Sequence, residues 1–213
     1  MPFAYYKRLS AKQRRIYDES DAVVRIQLPG AEKMQARVAA LARALRKSDR
    51  KATEQASRQL TEAILKALGV AGVRVRVLAA RPSHDWGELH GLYEPEEGRK
   101  PLLTVWMRTA QRRQVVAFKT FMRTLLHEIM HHLDYELFEL DDSYHTEGFY
   151  KRESSLFRQL VPDPSLYEEG TTPRATRRSA ATSEGRTRRK AGAKRAARKT
   201  AAAEQQHLPF GDS

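Results

Sequence analysis

The sequence predicts an α+β fold, a small and mostly antiparallel sheet packed on one central helix. Three observations predict it. Apolar residues recur at helical spacing through residues 1–68, alternate with polar ones after residue 69, and return to helical spacing from Gln111. From Gly170 onward no large apolar residue occurs until Leu208. The expected organisation is an N-terminal helical region (1–68), a core domain (69–169) and a basic tail (170–213).

The elements follow in order. Ser10-Ala11-Lys12-Gln13 has the form of a capping box, so a short helix is expected through about Glu19, with Ile16 and Tyr17 inward. Pro29-Gly30 breaks the chain. Met34, Val38, Leu41 and Leu45 then mark one face of a helix over 31–47. Ser48-Asp49 ends it and caps the next, over about 50–68, where Leu60, Ile64, Leu65 and Leu68 form the face and Gly69 the stop. The two are expected to pair as a hairpin, with one long helix as the alternative. "GVRVRVLAA" alternates like a half-buried strand, "ELHGLYEP" is a short extended piece, and "PLLTVWMR" is another strand. In the last, Leu103, Val105 and Met107 share one face and Leu102, Thr104 and Trp106 the other. From Gln111 to about Leu140 a broad stripe of Val115, Phe118, Met122, Leu125, Ile129 and Leu133, widened by Phe121, Leu126 and Met130, predicts a central, buried helix. A last helix is expected from about His145 to Leu160.

Composition narrows the class. There is no cysteine, so any metal site must use His, Asp or Glu. The first residues contain no apolar core of a signal peptide, and no stretch approaches the ~18 apolar residues of a membrane span. A cytoplasmic protein without membrane association is expected. Of the 39 Lys/Arg and 26 Asp/Glu residues, 11 and 3 fall within 170–213. That tail therefore supplies +8 of the net charge of +13, and it cannot bury enough apolar surface to order itself. Residues 170–204 are expected to be disordered.

The chemistry concentrates in "LLHEIMHHLD", residues 125–134. His127-Glu128-Ile129-Met130-His131 is an H-E-x-x-H pattern. On a helix, positions i and i+4 lie one above the other, so two imidazoles there can bind one tetrahedral zinc. Glu128, one residue on, is angled to accept a proton from a water that zinc acidifies. A wet histidine face would show the same letters, but Leu125, Leu126, Ile129, Met130 and Leu133 surround these residues, and buried histidines need partners. A catalytic zinc takes three protein ligands. Asp134, Asp141, Asp142, His145 and Glu147 are the downstream candidates for the third. Asp134, under one turn from His131, reads better as support for a histidine or as a solvated residue. His145 lies where a chain turning back would cross the metal, and Glu147 would give the glutamate version of the site. His132 points about 100° away from His131 and reads as a surface or supporting residue. Tyr144 is a candidate for stabilising an oxyanion, or for packing.

"HEIMHHLD" followed by "YHTEGFYKRESSLF" resembles the SprT-like zinc metalloprotease domains, the Spartan-related zincins, over about residues 73–160. The resemblance implies a zincin-like minimal metalloprotease in which a histidine before a phenylalanine on the next helix completes the site. His145-Thr146-Glu147-Gly148-Phe149 matches that pattern, with Thr146 where many members carry Gly. It implies zinc as cofactor, His127, His131 and His145 as ligands, Glu128 as general base and hydrolysis of peptide bonds. A substrate chain would add to a sheet edge, expected at Leu102–Met107.

The tail suggests partners. Residues 174–199 form a cationic polymer suited to binding DNA without sequence preference. Gln205, Leu208 and Phe210 are spaced as in the Q-x-x-L-x-F peptides that bind the replication sliding clamp. The expected function is a zinc metallopeptidase acting on DNA-associated proteins, in the cytoplasm and with nucleoid association as an option. The alternatives are a nucleic-acid-associated adaptor with a non-catalytic zinc site, and a zinc peptidase that cleaves a specific regulator unrelated to DNA.

Overall fold

The structure is a computed structural model, and it describes residues 3–84, 87–88, 90–95 and 98–167. The expected disordered run 170–204, the DNA-binding stretch 174–199 and the clamp peptide at 205–210 lie outside the described residues.

Five α-helices and a small mixed sheet form the described unit. After a 3-10 turn at Ala4–Arg8, α1 spans Ala11–Ala22. Its capping box is formed as the sequence predicts, with Ser10 accepting from the Gln13 amide and the Gln13 side chain accepting from the Ser10 amide. Gly30 takes a left-handed conformation that lets the chain turn into α2, Gln35–Arg46. Asp49 caps α3, Arg50–Leu68, and Gly69 ends it in the left-handed region. α2 and α3 pack on each other, as the hairpin reading requires.

Strand β1 is Arg74–Leu78, β4 is Gly91–Glu94 and β5 is Leu102–Trp106, with a two-residue pair, β2 (Ser83–His84) and β3 (Gly87–Glu88), between. The main sheet has the order β1-β5-β4. β4 is antiparallel to β5, but β1 is parallel to it, with Val75 opposite Leu103 and Val77 opposite Val105. The sheet is therefore mixed, not mostly antiparallel. Local alternation reveals that a segment is a strand but not which neighbour it meets or in which direction.

The same topology corrects the expected sheet edge. β5, taken as an edge, is the central strand, and all five of its residues are buried. β1 and β4 are the outer strands. β1 is closed on its outer side by an ion pair from α3. The Val77 amide donates to Glu54 Oε2 at 3.0 Å, and Arg50 Nη1 donates to the Val77 carbonyl at 2.9 Å. Those groups are thus unavailable to another strand.

The inner face of the sheet, through Val75, Val77, Leu103 and Val105, joins one core with α2, α3, α4 and α5. Residues 1–68 and the later domain share that core. The other face leaves Arg74, Arg76, Leu78 and Leu92 exposed.

The central helix α4 is Phe118–Glu136, shorter at both ends than the periodicity suggests. At its start, the Val116 amide donates to the Met107 carbonyl and Arg108 bridges Val115, so these residues extend the sheet instead. At its end, Phe138 and Leu140 amides donate back to Leu133 and Asp134 carbonyls while Glu139 takes a positive φ of 52°. This reversal sends the chain back along α4. α5 begins at Glu147, with Thr146 as its N-cap accepting from the Phe149 amide, and runs to Leu160. His145 therefore lies before the helix, not in its first turn.

α1 meets the start of α5 at Gly148, whose amide donates to Asp21 Oδ1 at 2.7 Å. A Cβ at Gly148 would collide with the backbone of Asp21. Gly148→Ala is expected to lower stability by about 1–3 kcal/mol through this overpacking, read as a lower urea midpoint with unchanged slope.

Candidate metal centre

α4 is an apolar helix with a polar stripe. Leu125, Leu126, Ile129, Met130 and Leu133 are fully buried, and the same helix presents His127 and His131 at i and i+4. The returning loop after α4 places His145 against them. His145 Nε2 lies 2.9 Å from His127 Nε2 and 3.1 Å from His131 Nε2. The three ring centroids are 4.8–5.0 Å apart. Phe149, fully buried, lies beside all three rings at 4.9–5.2 Å.

Hydrogen bonds assign the tautomers. Glu153 Oε2 lies 3.3 Å from His127 Nδ1. A carboxylate accepts, so Nδ1 carries the proton and Nε2 the lone pair. Ser143 Oγ lies 2.8 Å from His131 Nδ1 and donates its own hydrogen to Asp134 Oδ2 at 2.7 Å. It must therefore accept from His131 Nδ1–H, which again leaves the lone pair on Nε2. Two lone pairs face the Nε2 of His145, which has at most one hydrogen to offer. A single cation held there would satisfy all three nitrogens at once. Two nitrogens each about 2.0–2.1 Å from a tetrahedral ion sit roughly 3.3–3.4 Å apart, and the observed spacings fall only a few tenths short. Three histidines are thus close enough to hold one metal ion.

The electrostatics agree. Burial, then the neighbouring His127 and His145, push His131 down to about 2. Loss of solvent, then His127, lowers His145 to about 4. Both stay neutral at ordinary pH, the form that binds metal. Glu128 is buried, and that burial raises its carboxyl to about 7 against the opposing effect of His127. Its carboxyl end lies against Gly91 of β4, where any Cβ would overlap it.

Other residues take places the sequence left open. Glu147 pairs with Lys151 at 2.7 Å and stands outside the histidine cluster, so the alternative third ligand is not assembled. Asp134 supports His131 through Ser143. His132 is not a surface residue. It is fully buried, donates Nε2–H to the Ala71 carbonyl at 2.8 Å and accepts from the Tyr93 hydroxyl at 3.1 Å, tying α4 to β4 and to the approach to β1. Among the described residues, the ring contact of Tyr144 is with Tyr17 of α1. Tyr150 instead stacks near His145, at 5.9 Å and 25°, and the Tyr5 hydroxyl donates to the His145 carbonyl at 2.9 Å. Sequence reasoning missed Glu153, Ser143, Tyr5 and Arg152. Glu153 follows Phe149 by four residues, so only its helical spacing from that phenylalanine hints at its place. Ser143 and Tyr5 carry no comparable signal.

Metal binding displaces protons from ligands. His131 and His145, lowered to about 2 and about 4, are neutral imidazoles between pH 5 and 7 and have no second ring proton to release there. With zinc as the probe ion, the logarithm of Kd is therefore expected to rise as pH falls through that range with a slope well below the three of freely titrating imidazoles. Competition with a chromophoric chelator at several pH values measures it. No family model, no curated protein and no solved structure matches this chain.

Proposed function

We propose that this chain is a zinc-dependent peptidase in which His127, His131 and His145 hold the metal and Glu128 is the general base. The observation that supports it most is the pairing of three convergent Nε2 atoms with a buried carboxylate on the same helix. A histidine-only set without thiolates suits a catalytic zinc with an open fourth position. Bound there, zinc polarises a scissile carbonyl and acidifies water. Glu128 accepts the proton of the attacking water and returns it to the leaving amine. A carboxyl raised by burial is matched to that exchange near neutral pH. A purely structural site gives Glu128 no task, which disfavours the adaptor reading.

β4 is the outer strand beside this centre. Its Gly91 touches Glu128, and its Tyr93 ring lies 6.5 Å from His131. An extended substrate would pair with β4 in place of the β5 edge expected from sequence. The substrate class we propose is DNA-associated protein, on the strength of the cationic residues 174–199, with Gln205, Leu208 and Phe210 as a clamp-binding peptide. Among the described residues no helix is long and apolar enough to cross a membrane.

Glu128→Gln is expected to retain zinc and lose at least about 100-fold in casein cleavage. Absence of zinc from the wild type would sink the proposal. Gly91→Ala is expected to keep zinc and lose about tenfold or more in kcat, because the added methyl displaces the Glu128 carboxyl. Cleavage of DNA-bound protein is expected to fall on removal of 170–213 while casein cleavage persists. Equal loss on both substrates would remove the DNA-directed part of the reading.

A further inference from the structure

The proposed metal centre reaches α1 through one buried arginine. Arg152 of α5 is fully buried, as is its partner Asp134 of α4. Arg152 Nη2 donates to Asp134 Oδ1 at 2.7 Å and to Ser20 Oγ at 3.0 Å. Its Nη1 donates to the carbonyls of Ser20 and, at 2.7 Å, Val23, where α1 ends. The other oxygen of Asp134 accepts from Ser143, and Ser143 accepts from His131 Nδ1–H. An unbroken chain of hydrogen bonds thus runs from the C-terminal end of α1 to a candidate metal ligand.

We propose that Arg152 is a positioning residue for the metal centre, setting the tautomer of His131 through Asp134 and Ser143. The inference rests on the three-histidine metal reading. The direction of each bond follows from the guanidinium, which only donates, and from the carboxylate, which only accepts. With Arg152 in place, Asp134 acts as an acceptor at both oxygens, and the Ser143 hydroxyl must point its hydrogen at Asp134. Its lone pair then faces His131 Nδ1–H, and the His131 Nε2 lone pair faces the metal. Without the guanidinium, the Asp134 carboxylate is no longer held with Oδ2 toward Ser143, and the Ser143 hydroxyl, released from it, can turn and donate to Nδ1. The ring proton then moves to Nε2, where it blocks ligation. A lysine at 152 keeps the charge but not the planar fork that spans Asp134 and the α1 carbonyls. The N-terminal helix is thereby part of the metal centre, although it contributes no ligand.

Two measurements on the full chain test this. Zinc affinity is read by chelator competition for wild type, Arg152→Gln, Arg152→Lys, Ser143→Ala and the double variant Arg152→Gln/Ser143→Ala. The tautomer of His131 is read by nitrogen-15 NMR of the metal-free protein. Arg152→Gln and Ser143→Ala are each expected to weaken zinc binding about 10- to 100-fold, and Arg152→Lys by less. The double variant is expected to bind no more weakly than the worse single, because both break the same chain. The wild-type ring is expected as Nδ1–H, with Nε2–H appearing in Arg152→Gln. A merely structural arginine would lower the unfolding midpoint with wild-type zinc affinity in the folded protein, or with losses that add in the double variant. Either result overturns the proposal. Should Arg152→Gln not fold, wild-type affinity in Ser143→Ala overturns it alone. A wild type that binds no zinc counts against the peptidase reading, while an Nδ1–H ring lost in the Arg152 variants still upholds the relay.

Discussion

Everything at this centre follows from burying a polar stripe on an apolar helix. α4 carries the half-buried His127 and His131 and the buried Glu128, His132 and Asp134 among apolar residues with no exposed surface. Each buried polar atom needs a partner, since leaving one unpaired costs about as much as several favourable contacts contribute. The rest of the fold supplies partners for the histidines and for Asp134. β4 and the approach to β1 serve His132, α5 serves His127 through Glu153, and the returning loop serves His131 through Ser143. The three Nε2 atoms are left close together, near enough to hold one metal ion.

The two α4 histidines are supported in parallel ways. His127 meets Glu153, which pairs with Arg123 at 3.1 Å. His131 meets Asp134 through Ser143, and Asp134 pairs with Arg152. In each case a carboxylate orients the ring and an arginine orients the carboxylate. Such supports set tautomer and direction, which a ligand needs as much as proximity. His145 differs, being held through its backbone by Tyr5 and through the α5 cap just after it. The N-terminal segment thus bears on the centre at two separate points.

Much of this was legible in the letters. The caps at Ser10, Asp49 and Gly69, the α2–α3 hairpin and the buried face of α4 all depend on residues near one another in sequence. So does the i, i+4 placement of His127 and His131. The boundaries that failed were those where a distant partner competed. Val115 fits the helical stripe, yet it and Val116 make their backbone contacts just past the end of β5. His132 read as peripheral because its two partners, Ala71 and Tyr93, lie 61 and 39 residues away.

By itself, then, the sequence determined the helices, the strand positions and the identity of the histidine and glutamate pattern, because periodicity and capping are local physics. Only the tertiary structure decided that β1 runs parallel to β5, that β5 is central, and that His145 joins the pair while Glu147 turns to Lys151. It alone brought Arg152, Asp134 and the end of α1 into one buried network. Those outcomes depend on which surfaces meet across the core, and spacing along a chain does not encode which of several distant partners a buried charge will find.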